Sequence, residues 1–211
     1  DSIGKSLRIT RERVRQIEEA GFNFVKKNHK ETLDNIFADF NSYFQQNGGF
    51  KKEEIVLGDL GKDKQKSYVL FLLTLGRGQF LRVCGKKDYH YFWTTSPNPE
   101  NKVIGTLNSL VLDIQKHGKL LTKKELFDNF APKYNLNNTS LLSYIEISKK
   151  IQENKEGKLG LVIWPEIKPR GVKDRAFLVF KNEQKPLHFR KLTELIDQLK
   201  YEGFTQEQAE Y

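Results

Sequence analysis

Apolar residues recur along this chain at three- and four-residue steps, separated by Gly/Pro breaks. Leu33, Ile36, Phe37, Phe40 and Phe44 predict an amphipathic helix over about 31–46 with one buried stripe. The same period predicts helices over about 102–117 (Ile104, Leu107, Leu110, Val111, Ile114) and about 172–183 (Ala176, Phe177, Val179, Phe180). A break follows each one: Asn47-Gly48-Gly49-Phe50, then Lys116-His117-Gly118-Lys119-Leu120, then Gln184-Lys185-Pro186-Leu187. After each break comes a charged helix start, predicting second helices at about 52–60, 122–131 and 188–200 and third helices at about 63–75 and 138–153. Lys119 and Lys185, in matching places, are 66 positions apart, and the first and second units are about as far apart. That spacing suits an array of small domains better than a solenoid, whose repeats run roughly 20–50 residues.

Beyond the third helix of the first unit, 79–84 and 89–93 read as strands around the polar turn Gly85-Lys86-Lys87-Asp88. A shorter hairpin is expected within 157–165. Three helices followed by a β-hairpin describe a winged helix. The expected fold class is therefore mainly α with small β-hairpin wings: a helix-turn-helix followed by tandem winged-helix domains. The expected segments are 1–30, 31–98, 99–168 and a truncated 169–211.

The start of the chain, Ile3-Gly4-Lys5-Ser6-Leu7-Arg8-Ile9-Thr10-Arg11-Glu12-Arg13-Val14-Arg15-Gln16-Ile17-Glu18, reads as a short helix, a tight turn and a second helix. Thr10 is a natural N-cap, since its hydroxyl can accept from a free backbone N–H one turn on. Val14, Ile17 and Gly21 fall on one side, with Ile3, Leu7 and Ile9 expected to complete the inward contacts. Arg11, Glu12, Arg15 and Gln16 fall on another side and offer the groups that read base edges in a major groove.

Residues 10–18 closely resemble the recognition-helix signature of region four of primary-class bacterial sigma factors, Thr-Arg-Glu-Arg-(Ile/Val)-Arg-Gln-Ile-Glu, with Val14 in the variable slot. The resemblance implies that this helix enters the major groove of a promoter element in double-stranded DNA. Arg11, Glu12 and Gln16 would face bases, Arg13 and Arg15 would face phosphates or neighbouring bases, and Thr10 would cap the helix at the DNA surface. It covers about the first 20 residues. The turn holds Arg8 where the family usually has glycine or another small or polar residue, at a cost of roughly 1 kcal/mol. After Glu18 the chain departs from the family's Ala/Leu/Arg-rich continuation. The bland alternative is an Arg-rich solvated helix.

Pro169-Arg170-Gly171-Val172-Lys173-Asp174-Arg175-Ala176, with Pro186-Leu187-His188-Phe189-Arg190, resembles the HARE-type helix-turn-helix. That family occurs in the delta subunit of bacterial RNA polymerase and in some restriction and chromatin proteins. The two resemblances together imply bacterial transcription, with RNA polymerase as a candidate partner.

Charge agrees with a polyanionic partner. The net charge is +9. Residues 1–30 hold eight Lys/Arg against four acids, which is +4, leaving +5 for the other 181. At the turn of the first wing, Lys86 and Lys87 are candidates for phosphate contact, or plain solvated turn residues. Period two puts Tyr89, Tyr91 and Trp93 on one face, expected to cover the helices; with Phe92 they could instead stack on bases. Lys62, Lys64 and Lys66 give the first unit's third helix a basic character, whereas 140–146 is nearly uncharged and leans towards protein binding. Lys149-Lys150 reads as a solvated helix face.

One cysteine, Cys84, excludes an intramolecular disulfide framework and a cysteine-based zinc cluster, and fits a reducing cytoplasm. No apolar run approaches the roughly 18 residues of a membrane span. The four histidines (His29, His90, His117, His188) are scattered without metal-ligand spacing, and no phosphate-binding glycine loop or serine elbow occurs. The expectation is a non-enzyme with no catalytic residues, metal or cofactor. A chain without methionine, starting inside the first helix of a motif, is also expected to be a fragment. Two alternatives stay open: a winged-helix interaction module docking RNA polymerase or another protein, and the DNA-recognition part of a restriction or repair enzyme.

Overall fold

The aromatic stripe seen in the sequence is the spine of the first compact unit. In the computed structural model, which describes residues 5–201, Leu33, Phe37, Phe40 and Phe44 are all buried on one side of a helix at Lys30–Gln46. The elements in chain order are α1 (Arg11–Asn28), α2 (Lys30–Gln46), β1 (Phe50–Lys52), α3 (Glu53–Leu75), β2 (Leu81–Val83), β3 (Phe92–Thr94), α4 (Gly105–His117), α5 (Lys123–Phe130), α6 (Asn138–Ile147), β4 (Ile151–Glu153), β5 (Leu159–Leu161), α7 (Val172–Glu183) and α8 (Phe189–Tyr201). They form two compact units. The first takes 5–86, 90–103 and 136–147; the second takes 87–89, 104–135 and 148–201. Residues 136–147, including α6, thus group with the first unit although the sequence spacing sets them between 99 and 168.

In the first unit, α2 leads through Gly48 and Gly49, at φ 81 and 86, into β1. A Cβ on Gly48 would come within 2.4 Å of the Ser140 hydroxyl, so only glycine fits this approach to α6. The sheet is antiparallel with order β1-β3-β2, pairing Phe50 with Thr94 and Leu81 with Thr94 on the two edges of β3. Phe80 closes the core, its ring 5.7, 5.9 and 5.8 Å from those of Phe37, Phe40 and Phe44. Glu53, the first residue of α3, ties helix to sheet. Its carboxylate accepts from both Arg82 nitrogens Nε and Nη2 and from Trp93 Nε1 at 2.9 Å, and its N–H donates to the Tyr91 carbonyl. Glu53→Ala leaves the Trp93 indole N–H and the Arg82 guanidinium without this partner and is expected to cost about 2–3 kcal/mol. A melt followed by tryptophan emission reads it, and a shift no larger than that of an exposed Glu→Ala would refute the tie.

The two helices expected at 52–60 and 63–75 are one element broken at Lys62, whose backbone sits at φ 45, ψ −173. A Cβ on the preceding Gly61 would lie 2.9 Å from the Lys66 backbone nitrogen, so the chain folds tightly against itself here. The Lys62 conformation belongs to glycine. Lys62→Gly should therefore stabilise by about 1 kcal/mol, raising the melting midpoint by roughly 2–4 °C; a lower midpoint would overturn the strain reading.

α6 packs on β1. Lys51 Nζ lies 2.8 Å from Glu146 Oε2, Ser143 Oγ donates to the Asn47 carbonyl at 3.0 Å, and the Phe50 and Tyr144 rings meet at a tilt of 60° with centroids 4.6 Å apart. The expected helix over 138–153 ends at Ile147. The Ser148 hydroxyl accepts from the Lys150 and Ile151 N–H groups, turning the chain so that Ile151–Glu153 becomes β4. The expected strands 79–84 and 89–93 shorten to β2 and β3, so an eight-residue loop, 84–91, replaces the four-residue turn. Phe92 and Trp93 are both buried because both faces of β3 are covered, while Tyr91 is exposed under the Arg82 guanidinium, 4.8 Å from its ring centroid.

In the second unit α4 buries Leu107, Leu110, Val111 and Ile114 and ends at Gly118 in the left-handed region, as the glycine break predicts. Thr122 and Glu125 form a reciprocal capping box that starts α5. Leu121 bridges Leu159 of β5, which pairs with β4. α7 and α8 pack together, burying Val179 and Ile196.

Candidate nucleic-acid interface

Thr10 caps α1 as the sequence predicts: its hydroxyl accepts from the Arg13 N–H at 3.1 Å. Two residues earlier the turn places Arg8 at φ 54, the left-handed conformation that favours glycine. From that cap, Arg11, Glu12, Arg13, Arg15 and Gln16 are all exposed.

The inward side differs from expectation. Leu7 and Ile17 are 63 % and 52 % exposed, and α1 has no buried residue among those described. Ile3 lies outside the described residues. The helix is held at its other end. Phe22 meets Phe71 edge-on at 5.9 Å, Glu18 accepts from Arg77 at 3.3 Å, and Val25 packs against the core. The signal for this anchoring was present: after Glu18 the chain brings in Phe22 and Val25, which serve as the contacts to the core.

The outward side is a hydrogen-bonded network. Arg15 donates to both Glu12 carboxylate oxygens, at 2.7 and 3.0 Å, and to Glu19 at 3.0 Å. Gln16 donates to Glu12 and accepts from Arg13, each at 3.4 Å. The Arg15 hydrogen bond holds the Glu12 carboxyl below its ordinary pKa, and Glu12 in turn raises Arg15. Both therefore stay charged across the neutral range. Among the described residues Arg11 has no such partner. Its guanidinium is available without rearrangement, whereas Arg15 must exchange carboxylates for phosphates or bases.

Lys86 and Lys87 are exposed in the 84–91 loop, on a different element from α1. Lys62, Lys64 and Lys66 are exposed around the break in α3. On α6 the corresponding positions are occupied otherwise: Ser140, Leu141, Ser143, Tyr144 and Ile147 are buried. A second basic feature escaped the sequence reading. Lys26, Lys27 and Lys30, at the junction of α1 and α2, line an open cleft of about 420 Å³ together with Arg77, just beyond the end of α3.

Among the described residues no group of three or more His, Cys, Asp or Glu side chains could hold a metal ion, and no helix is long and apolar enough to cross a membrane. No protein-family model, curated protein or solved structure matches the chain.

Proposed function

We propose that this chain is a sequence-specific DNA-binding protein of bacterial transcription, a sigma-factor-related regulator that reads a promoter-like element with the first turns of α1. One observation carries the reading: a Thr10-capped helix whose exposed face bears Arg11, Glu12, Arg15 and Gln16 in the order of the sigma recognition helix. Guanidinium and amide groups on one helix face can form paired hydrogen bonds to guanine and adenine edges. The β1-β3-β2 order, with α2 and α3 beside it, supports a winged helix following the reader in the chain. The direct test is selection of bound sequences from a random duplex pool at two salt concentrations. A defined motif at both salts is expected; no enrichment, with binding lost as salt rises, would leave α1 as a phosphate-holding helix only.

A second reading, docking of RNA polymerase or another protein, is favoured by two features. α6 is buried rather than presented, and Val172, Phe177, Phe180 and Phe189 of the HARE-like segment are 63, 50, 43 and 65 % exposed. The two readings are compatible in one protein, with DNA met by α1 and protein by α7 and α8.

A further inference from the structure

The cleft lined by Lys26, Lys27, Lys30 and Arg77 holds positive charge that the base-reading face of α1 does not use. Its walls come from two places distant in sequence. The last turn of α1 and the start of α2 supply the lysines; the chain after α3 supplies Gly76, Arg77 and Gln79. The second wall is packed at Gly76 and tethered at Arg77. A Cβ on Gly76 would lie 2.6 Å from the buried Phe80 ring, and Arg77 is held by Glu18 with its guanidinium 5.6 Å from the Phe22 centroid. Buried Leu33 and Phe37 make the apolar floor. Glu18 offsets part of the Arg77 charge, and Asp34 also borders the cleft. No described carboxylate pairs with any of the three lysines.

We infer that this cleft binds the phosphate backbone of nucleic acid, outside the groove that the first turns of α1 would enter. Lysines are flexible point charges that suit a run of phosphates better than one planar, bidentate ligand. Distance points the same way. Lys27 stands sixteen residues beyond Arg11 on one helix, roughly 24 Å at 1.5 Å per residue, while a major groove is about 12 Å wide. With Arg11 at the base edges, the far end of α1 lies past the groove wall, where phosphates line the duplex. This inference rests on the DNA-binding reading but not on base recognition.

The test uses the full chain and a labelled 20-base-pair duplex of arbitrary sequence, with binding measured by anisotropy between 50 and 200 mM salt. The triple variant Lys26→Gln, Lys27→Gln, Lys30→Gln removes three charges. So does a control, Lys124→Gln, Lys168→Gln, Lys173→Gln, at exposed sites elsewhere. Each lost phosphate contact flattens the slope of log K against log salt by about 0.9. The cleft variant should flatten it by about 2–3 and weaken binding at 0.1 M salt on the order of a hundredfold, the control by less than one unit of slope. Equal effects of the two triples would overturn the assignment. So would displacement of the duplex by millimolar inorganic phosphate at constant ionic strength, which would make the cleft a small-anion site. Lys26 is half-buried, so the pair Lys27→Gln, Lys30→Gln, both exposed, repeats the test with an expected change of about 2 should the triple fold poorly. Sequence preference is scored separately. A flattened slope with no preference on any duplex keeps the cleft and sinks the base reader; preference with an unchanged slope does the reverse.

Discussion

Phe80→Ala should cost about 3–5 kcal/mol, among the largest losses any single substitution produces here. Phe80 is 1 % exposed and touches three rings of α2, with centroids 5.7–5.9 Å away. Removing it takes away apolar burial, three aromatic contacts and the surface against which Gly76 closes. The remaining rings cannot collapse into the space, because Phe37, Phe40 and Phe44 are fixed by their own turns of one helix. For a chain of this length the midpoint of the first unit's transition should fall on the order of 10 °C. Circular dichroism with near-ultraviolet detection measures it. Phe24→Ala serves as the comparison: that ring is 69 % exposed and its loss should stay within about 0.5 kcal/mol. Comparable shifts from the two substitutions would show that the ring cluster is not the centre of the core.

What could be read in advance follows from which interactions are local. The stripe Leu33, Phe37, Phe40, Phe44 is a property of one helix, and the helix expected at 31–46 runs Lys30–Gln46. The break at Lys62 fell between the two expected helices for the same reason, and the Thr10 cap and the turn at Arg8 were equally local. The region around 148–151 misled because Ile147 and Ile151 keep helical spacing. The Ser148 hydroxyl and the bond from the Lys149 N–H to the Asp88 carbonyl make the turn, and period alone cannot register either. Tyr91 was misplaced because the register of β3 is set by its partners β1 and β2, not by alternation within 89–93. The cleft was invisible for a stronger reason. Lys30 and Arg77 are 47 positions apart, and nothing in either segment names the other. Ile17 was expected inward on helical period, with Leu7 completing that side, but period says which residues share a face, not whether anything covers it.

The double substitution Arg11→Ala, Gln16→Ala should abolish sequence preference while leaving most of the salt-dependent binding in place. Each good bidentate contact to a base discriminates by about 1–3 kcal/mol, so losing two removes roughly 2–6 kcal/mol between the preferred site and an arbitrary one. That is about 30-fold to more than 10⁴-fold in affinity ratio. Only one charge is lost, so the salt slope should fall by at most about 0.9. The network on α1 supplies an internal contrast. Arg15→Ala strips Glu12 and Glu19 of their shared cation and presents two unpaired carboxylates to the duplex. It should weaken binding to every sequence, through repulsion from the phosphates, more than Arg11→Ala does. Competition between preferred and scrambled duplexes at fixed salt separates the two patterns. If the double variant instead loses the same factor on both duplexes, Arg11 and Gln16 hold the backbone, and base reading by this helix is excluded.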